Sequence, residues 1–361
     1  MLMSSQDSKL CGPSSAEERA YQERGFDAIA SLIADSERIA ICAHTAPDGD
    51  ALGSVLGLAH IIEQRWPNAV VTPLLADDAP VPRIYRFLPG AEDLVCPSDY
   101  EEDPDLFIAV DLSEKARLNL SQAICDRARQ VAIIDHHPCE HPFAATAVIR
   151  PGAAAVGVLI AEFALQVGAQ ITADIAQNLM CAVVTDTGRF QYQTADAESI
   201  RIASLLVDKG ASPSDISLNV YQSFRLSFLH LKSLVLGRIT TFEHGRIAYS
   251  YATQSDLERT GADLDECDGL IDVVRSVSGS EVALFLKKVP GGKVRGNLRS
   301  KGVHDVSSVA KLMGGGGHRA AAGFTFEGDV DEALATVLPH LRMLFRAPVP
   351  ESACVEGQGR G

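Results

Sequence analysis

The chain has 361 residues, of which 46% are hydrophobic and 22% charged, an ordinary composition for a soluble globular protein with room for two domains. A formal net charge of −15 argues against a protein that coats long nucleic acid, because that binding depends on neutralising phosphates, yet a short anionic substrate needs only a few local cations. No apolar run reaches the length of a membrane span, the N-terminus lacks the basic-then-apolar order of a secretory signal, and the eight scattered cysteines form no CxxC pair, so the expectation is a cytoplasmic protein with reduced thiols and no membrane partner.

Residues 1–15 read as a disordered tail and 16–33 as a first helix. An apolar strand over 38–43 then stops on His44-Thr45-Ala46-Pro47-Asp48-Gly49-Asp50. A helix follows to residue 66, with apolar positions at helical spacing (Leu52, Val55, Leu56, Ala59, Ile62). A strand over 70–75 leads into a proline-bearing loop with a short helical turn at 83–87. The strand at 106–111 ends on Asp111, and the one at 131–135 runs into Asp135-His136-His137. Helices over 154–167 and 173–185 follow, the second running into Asp186, and a helix over 197–209 closes a first domain spanning 16–209. Residues 210–236 read as a helical connector. From 237 the pattern alternates as half-buried strands do (238–242, 247–253, 282–289, 294–300, 323–326), with helices near 268–277 and 306–312. That predicts a smaller α+β domain over 237–346, with a disordered tail at 347–361.

Strand–helix alternation in the first domain predicts an α/β fold, a mostly parallel, doubly wound sheet with helices on both faces. Ligands in such sheets sit beyond the carboxyl ends of the strands. Three strands here end in Asp or His at that edge. Any one of these could be a polar cap, and Asp48 or Asp50 has the alternative reading of capping the next helix. Three together point to ligands, and Asp186 adds a fourth acid. The donors are oxygen and imidazole without thiolate, a set suited to Mn²⁺, Mg²⁺ or another hard to borderline ion rather than a structural zinc cluster. They are too many for one ion that keeps a position open, whereas two ions sharing a carboxylate would use them all. Paired metals about 3.5–4 Å apart are a device for in-line phosphoryl displacement. Cys42, Cys139, His60 and Trp66 read as bystanders. Between Lys287 and Arg319, eight lysines and arginines stand against the single acid Asp305, a basic island on an acidic protein.

His44 through Asp50, Asp111, the Asp135-His136-His137 triplet and Asp186 resemble the four motifs of the DHH phosphoesterase superfamily. Gly314-Gly315-Gly316-Gly317-His318-Arg319, with Arg299 and Ser300 on the preceding strand, resembles the glycine-rich signature of the associated DHHA1 domain. The compact two-domain length is similar to the nano-RNase/pAp-phosphatase branch. This resemblance implies two divalent ions, Mn²⁺ first with Mg²⁺ or Co²⁺ as alternatives. One would be held by His44, Asp48 and Asp111, the other by Asp50, Asp111, His136 and Asp186, with Asp111 as the bridge. His137 would face the substrate phosphate and Asp135 would orient the neighbouring imidazole. Arg299, Ser300, Gly315, Gly316, Gly317, His318 and Arg319 would bind substrate. Glycines carry no side chain to keep a phosphate from the backbone N–H groups, and a flexible linker is the alternative for this loop. Phe190 and Tyr192 read as core aromatics rather than a stacking face. The implied reaction is in-line hydrolysis of very short oligonucleotides or of a nucleoside bisphosphate, in a cleft between the domains, leaving a 5′-phosphate and a free 3′-hydroxyl. Hydrolysis of cyclic di-AMP or pApA is the nearest alternative. A non-catalytic nucleotide-binding regulator is the alternative from another class, and no ligand position is missing to favour it. A homodimer is the default for a soluble enzyme.

Overall fold

A computed structural model describes residues 16–345 apart from 268, 303 and 318. His318 and both expected tails therefore lie outside the described residues. The chain forms two compact units, one ending at Ser223 and one beginning at Phe224.

The first unit runs α1 (Ala16–Ala34), β1 (Arg38–Cys42), α2 (Gly49–Arg65), β2 (Val70–Leu74), β3 (Leu106–Val110), α3 (Gln122–Arg127), β4 (Gln130–Asp135), β5 (Thr146–Ile149), α4 (Val156–Gln166), α5 (Ala173–Asp186), α6 (Ala197–Asp208) and α7 (Pro213–Ile216). Its five strands are all parallel in the order β2-β1-β3-β4-β5. Strand alternation divides the core. Ile39 and Ile41 face a large apolar cluster with Leu52, Val158 and Leu179 from the helices. Ala40 and Cys42 face a second cluster on the opposite side with Phe107, Leu118 and Ile124. With both faces covered, all five β3 residues are buried, which is why this segment is a continuous apolar run. The strand order reverses between β1 and β3, and the crevice at such a switch point is where a parallel sheet receives its ligand.

Helices α2 and α5 pack closely because α2 presents glycine on the facing side. A Cβ at Gly49 would lie 2.5 Å from the Thr185 side chain, at Gly53 2.3 Å from the Asn178 carbonyl, and at Gly57 2.6 Å from Leu179. Spacing of four residues puts these three positions on one helix face. The close approach brings the first turn of α2 against the last turn of α5.

The second unit runs α8 (Leu226–Gly237), β6 (Thr240–Phe242), β7 (Ile247–Ala252), α9 (Gln254–Thr260), α10 (Leu270–Arg275), β8 (Val282–Val289), β9 (Lys293–Ser300), α11 (Val306–Leu312), β10 (Gly316–Gly317), β11 (Ala321–Glu327) and α12 (Val330–Met343). It builds a mixed sheet in the order β10-β11-β9-β8-β7-β6. β7 and β8 are parallel, and the other pairs antiparallel. The stretch expected as a connector is divided between the units: α7 belongs to the first, and Leu231 and Val235 of α8 enter the core of the second. No helix among the described residues is long and apolar enough to cross a membrane.

Candidate metal centre

The turn between β1 and α2 brings the first three candidates to the sheet edge. His44 is buried, and its Nδ1 lies 2.9 Å from the Thr45 carbonyl. A carbonyl only accepts, so Nδ1 carries the proton and Nε2 keeps its lone pair. Thr45 is itself held, its hydroxyl donating to Asp77 at 2.5 Å and its N–H to the Arg117 carbonyl at 2.8 Å. Asp48 caps α2, with Oδ1 accepting the N–H groups of Asp50 and Ala51, both at 3.0 Å. Asp50 is buried and engaged elsewhere. Its Oδ2 accepts the Val156 N–H at 2.7 Å, and its Oδ1 accepts Gly157 N–H and the Ser54 hydroxyl, each at 3.0 Å. A carboxylate thus closes the N-terminus of α4, where orphan donors and the helix dipole favour negative charge.

Asp111 follows β3 with a φ of 59°, the left-handed region that Asp tolerates better than most residues. Its two oxygens point to different partners. Oδ2 lies 3.3 Å from His44 Nε2, while Oδ1 lies 3.6 Å from His136 Nε2 and 3.5 Å from His137 Nδ1. His136 is oriented as His44 is, with Nδ1 2.9 Å from the Ala153 carbonyl and Nε2 turned inward, also 3.6 Å from Asp186 Oδ2. Asp135 Oδ1 accepts the backbone N–H groups of His136 at 2.7 Å and His137 at 3.1 Å, and lies 2.8 Å from His137 Nδ1. The orienting contact of Asp135 is therefore made to the ring of His137, while a backbone carbonyl orients His136.

These side chains form three groups whose donor atoms lie within 4.8 Å of one another: His44, Asp48 and Asp111; Asp50, His136 and Asp186; and Asp111, His136 and His137. Their electrostatics call for added positive charge. Burial, then Asp50 and Asp48, raises the Asp111 carboxyl well above its ordinary range. Burial, then Asp50, pushes Asp186 up to about 7. Asp50 is raised by its own burial and by Asp48, against opposing contributions from His136 and two backbone N–H groups. Burial would lower His136, but Asp186, Asp50 and Asp111 outweigh it and push the imidazole up to about 9. Protons are drawn to the places a cation would occupy. With those protons displaced, the two Nε2 atoms and four carboxylates make a donor set that fits divalent metal ions.

The profile of the DHH family, N-terminal domain, matches residues 38–202, and that of the DHHA1 domain matches residues 244–342. Over 329 residues the chain is 31% identical to the bifunctional oligoribonuclease and PAP phosphatase NrnA of Thermus thermophilus, covering 91% of this chain and 96% of that protein. The chain belongs to the DHH family. It is thereby a phosphoesterase, a hydrolase whose second unit carries the DHHA1 domain. It is also 24% identical over 306 residues to the cyclic-di-AMP phosphodiesterase GdpP of Geobacillus thermodenitrificans, covering 81% of this chain and 45% of that one. In fold it is similar to the crystal structure of an exopolyphosphatase-related protein from Bacteroides fragilis, with a TM-score of 0.84, 24% identity, and coverage of 90% of this chain and 98% of that one.

In this DHH chain the DHHA1 candidates fall out less uniformly than the first group. Arg299 is half-buried on β9, with Nη1 donating to the Leu298 carbonyl at 3.1 Å. Ser300 is buried, its N–H donating to Ala320 O at 2.8 Å and its hydroxyl engaged with Gly302. Arg319 is exposed. The four glycines are not one open loop. Gly314 N–H donates to Lys311 O at 3.0 Å and Gly315 N–H to Ala310 O at 2.8 Å, ending α11. Gly316 and Gly317 form the edge strand β10 against Gly323 and Ala322. A Cβ at Gly315 would lie 2.1 Å from the Gly323 carbonyl, so this glycine is required by packing.

The basic island of the sequence also divides. Lys288 Nζ donates to the carbonyls of Gly292 and Gly328, Lys293 pairs with Glu327 at 2.7 Å, and Lys301 Nζ donates to Val277 O. Arg295, Asn297 and Arg299 share one face of β9. On that face their β8 neighbours Phe285 and Ala283 are covered by α8 and α10. Phe190 packs against the core of the first unit, and a Cβ at Gly188 would meet the Tyr192 ring at 2.4 Å.

Proposed function

We propose that this chain is a two-metal phosphodiesterase that hydrolyses very short oligonucleotides to 5′-mononucleotides and removes the 3′-phosphate of pAp. The observation that carries the reading is Asp111, whose two buried oxygens face His44 on one side and His136 on the other, the arrangement of a carboxylate shared between two ions. The relative named for oligoribonuclease and PAP phosphatase activity, matched over nearly its whole length, supports the substrate class.

His44, Asp48 and Asp111 would hold one divalent ion, and Asp50, Asp111, His136 and Asp186 the other, Mn²⁺ being the leading candidate. The pair would supply Lewis acidity, making water acidic enough to attack and offsetting charge on the phosphoryl oxygens. His137, steadied through Nδ1 by Asp135, presents its opposite ring nitrogen to a phosphate oxygen and stabilises charge there. Arg299 and Arg319 are the candidate phosphate contacts of the DHHA1 domain, a task guanidinium forks suit.

The similarity to a cyclic-di-AMP phosphodiesterase favours cyclic di-AMP or its linear product pApA as a second substrate reading. One experiment separates the two: kcat/KM with Mn²⁺ across oligoribonucleotides of graded length, pAp, pApA and cyclic di-AMP. Preference for dinucleotides and turnover of pAp support the leading reading. Efficient cleavage of long strands with dinucleotides and pAp untouched would overturn it.

A further inference from the structure

Residues 150–155, between β5 and α4, tie together two proposed ligands from different elements, His136 just after β4 and Asp50 on α2. Arg150 N–H donates to the Asp135 carbonyl at 3.0 Å, and Ala153 N–H donates back to the Arg150 carbonyl at 2.9 Å. That closes a turn with Pro151 and Gly152 at its centre, residues suited to those positions. The Ala153 carbonyl orients the His136 ring at 2.9 Å. Where the loop enters α4, the N–H groups of Val156 and Gly157 hold Asp50 at 2.7 and 3.0 Å. The position of this loop therefore sets the separation of His136 and Asp50.

The Arg150 side chain, 11% exposed, anchors the loop from the far side. Its guanidinium forks onto Glu198 of α6, Nη1 to Oε1 at 3.2 Å and Nη2 to Oε2 at 2.8 Å. Nη1 also lies 3.3 Å from Glu162 of α4 and donates to Gln22 of α1 at 3.1 Å, and Gln22 in turn donates to Glu162 at 2.7 Å. One cation between two carboxylates with little exposure is a poor device for stability, since desolvation tends to cancel the attraction, and burial, with Glu198 beside it, pushes the Glu162 carboxyl up to about 7. A planar fork fixed by three helices is a good device for placing a backbone.

We propose that Arg150 is a positioning residue, whose fork onto Glu198 and Glu162 fixes the 150–155 loop and so holds His136 and Asp50 at the spacing a divalent ion requires. This rests on the metal-dependent reading above.

The decisive variant is Glu198→Gln. It leaves Arg150 and Glu162 as a balanced pair, so a purely structural role predicts an unchanged or higher unfolding midpoint and unchanged metal binding. Positioning predicts that the Kd for Mn²⁺, titrated calorimetrically into metal-stripped protein, rises about 10-fold or more, as is typical when a partner that orients a ligand is lost. The unfolding midpoint in chelator should still not fall. Arg150→Lys, which keeps the charge and loses the fork, should weaken Mn²⁺ to a similar degree. Leu206→Ala, a core truncation on the same helix, should lower the midpoint and leave the Kd alone. Wild-type Mn²⁺ affinity in Glu198→Gln overturns the proposal, as does an equal loss in Leu206→Ala. If Arg150→Lys does not fold, Glu198→Gln decides alone. A wild-type chain that binds no Mn²⁺ sinks the metal reading itself and this inference with it.

Discussion

The Asp50 carboxylate accepts the Val156 N–H at 2.7 Å, so a proposed metal ligand also terminates a helix that begins more than a hundred residues later. The two roles separate by substitution. Asp50→Asn retains a side-chain oxygen for the α4 N-terminus and removes a carboxyl that burial has raised. With its NH2 facing one of the two N–H groups, it should keep part of the wild-type stability against unfolding in chelator while losing nearly all turnover. Asp50→Ala should lose turnover equally and unfold more easily than the Asn variant by about 1 kcal/mol for the missing cap. Near-normal kcat/KM in Asp50→Asn would remove Asp50 from the metal centre.

Gly53→Ala tests the contact between α2 and α5. An added Cβ lies 2.3 Å from the Asn178 carbonyl and 3.1 Å from Ala182 N, both backbone atoms that cannot swing aside. The helices must part, costing about 1–3 kcal/mol by denaturant titration. Asp50 and Asp186 ride on those helices, so Mn²⁺ affinity should fall with stability. Gly237→Ala meets nothing within 4 Å and should be neutral or slightly stabilising. Equal stability of the two variants would show that the close approach is absent in solution.

On the β9 face, Arg299→Ala should raise KM for pAp by about 10–100-fold with a smaller change in kcat, the size expected for a lost charge-assisted hydrogen bond. Lys288→Ala is the comparison, because its ammonium is committed to the carbonyls of Gly292 and Gly328 and should leave KM unchanged. The reverse order, with Lys288 controlling KM, would move the phosphate grip off this face.

Acid sensitivity of the second unit should centre on Asp256. Hydrogen bonds from Arg238, foremost, and from Thr253 hold its carboxyl well below the ordinary range despite the cost of burial. A carboxyl depressed in the folded state contributes stability that is complete above the unfolded value of about 4 and drains away as pH falls through the folded one. Asp256→Asn should therefore destabilise by about 2 kcal/mol near neutrality, and the deficit should shrink as the pH drops below 4. A deficit that persists undiminished at pH 2 would assign the loss to the Thr253 capping box alone.

Much of the first unit could be read from the sequence because its chemistry is local. Apolar runs that stop on Asp or His mark strand ends directly, and a parallel sheet lines those ends up along one edge. What stayed hidden depends on pairings between distant segments. Nothing around Asp50 announces that its oxygens serve Val156 and Gly157, and nothing around His136 points to the Ala153 carbonyl. The eight basic residues near the signature looked like one patch, but local carbonyls and Glu327 occupy several of the lysines. Four glycines in a row suggested open backbone, whereas two end a helix and two pair as a strand. The division at Ser223 was equally obscure, because the apolar face of α8 does not say which core it will enter.

Capping and ligation looked like competing readings of Asp48, yet one carboxylate has an oxygen for each. With Oδ1 occupied by the N–H groups of Asp50 and Ala51, position 48 would be a poor place to redesign the proposed centre for another metal. Histidine there would bring a softer donor and uncap α2, and glutamate would carry the oxygens beyond reach of those N–H groups. His44 is the better handle, since its ring is held through a neighbouring backbone carbonyl and no helix start depends on it.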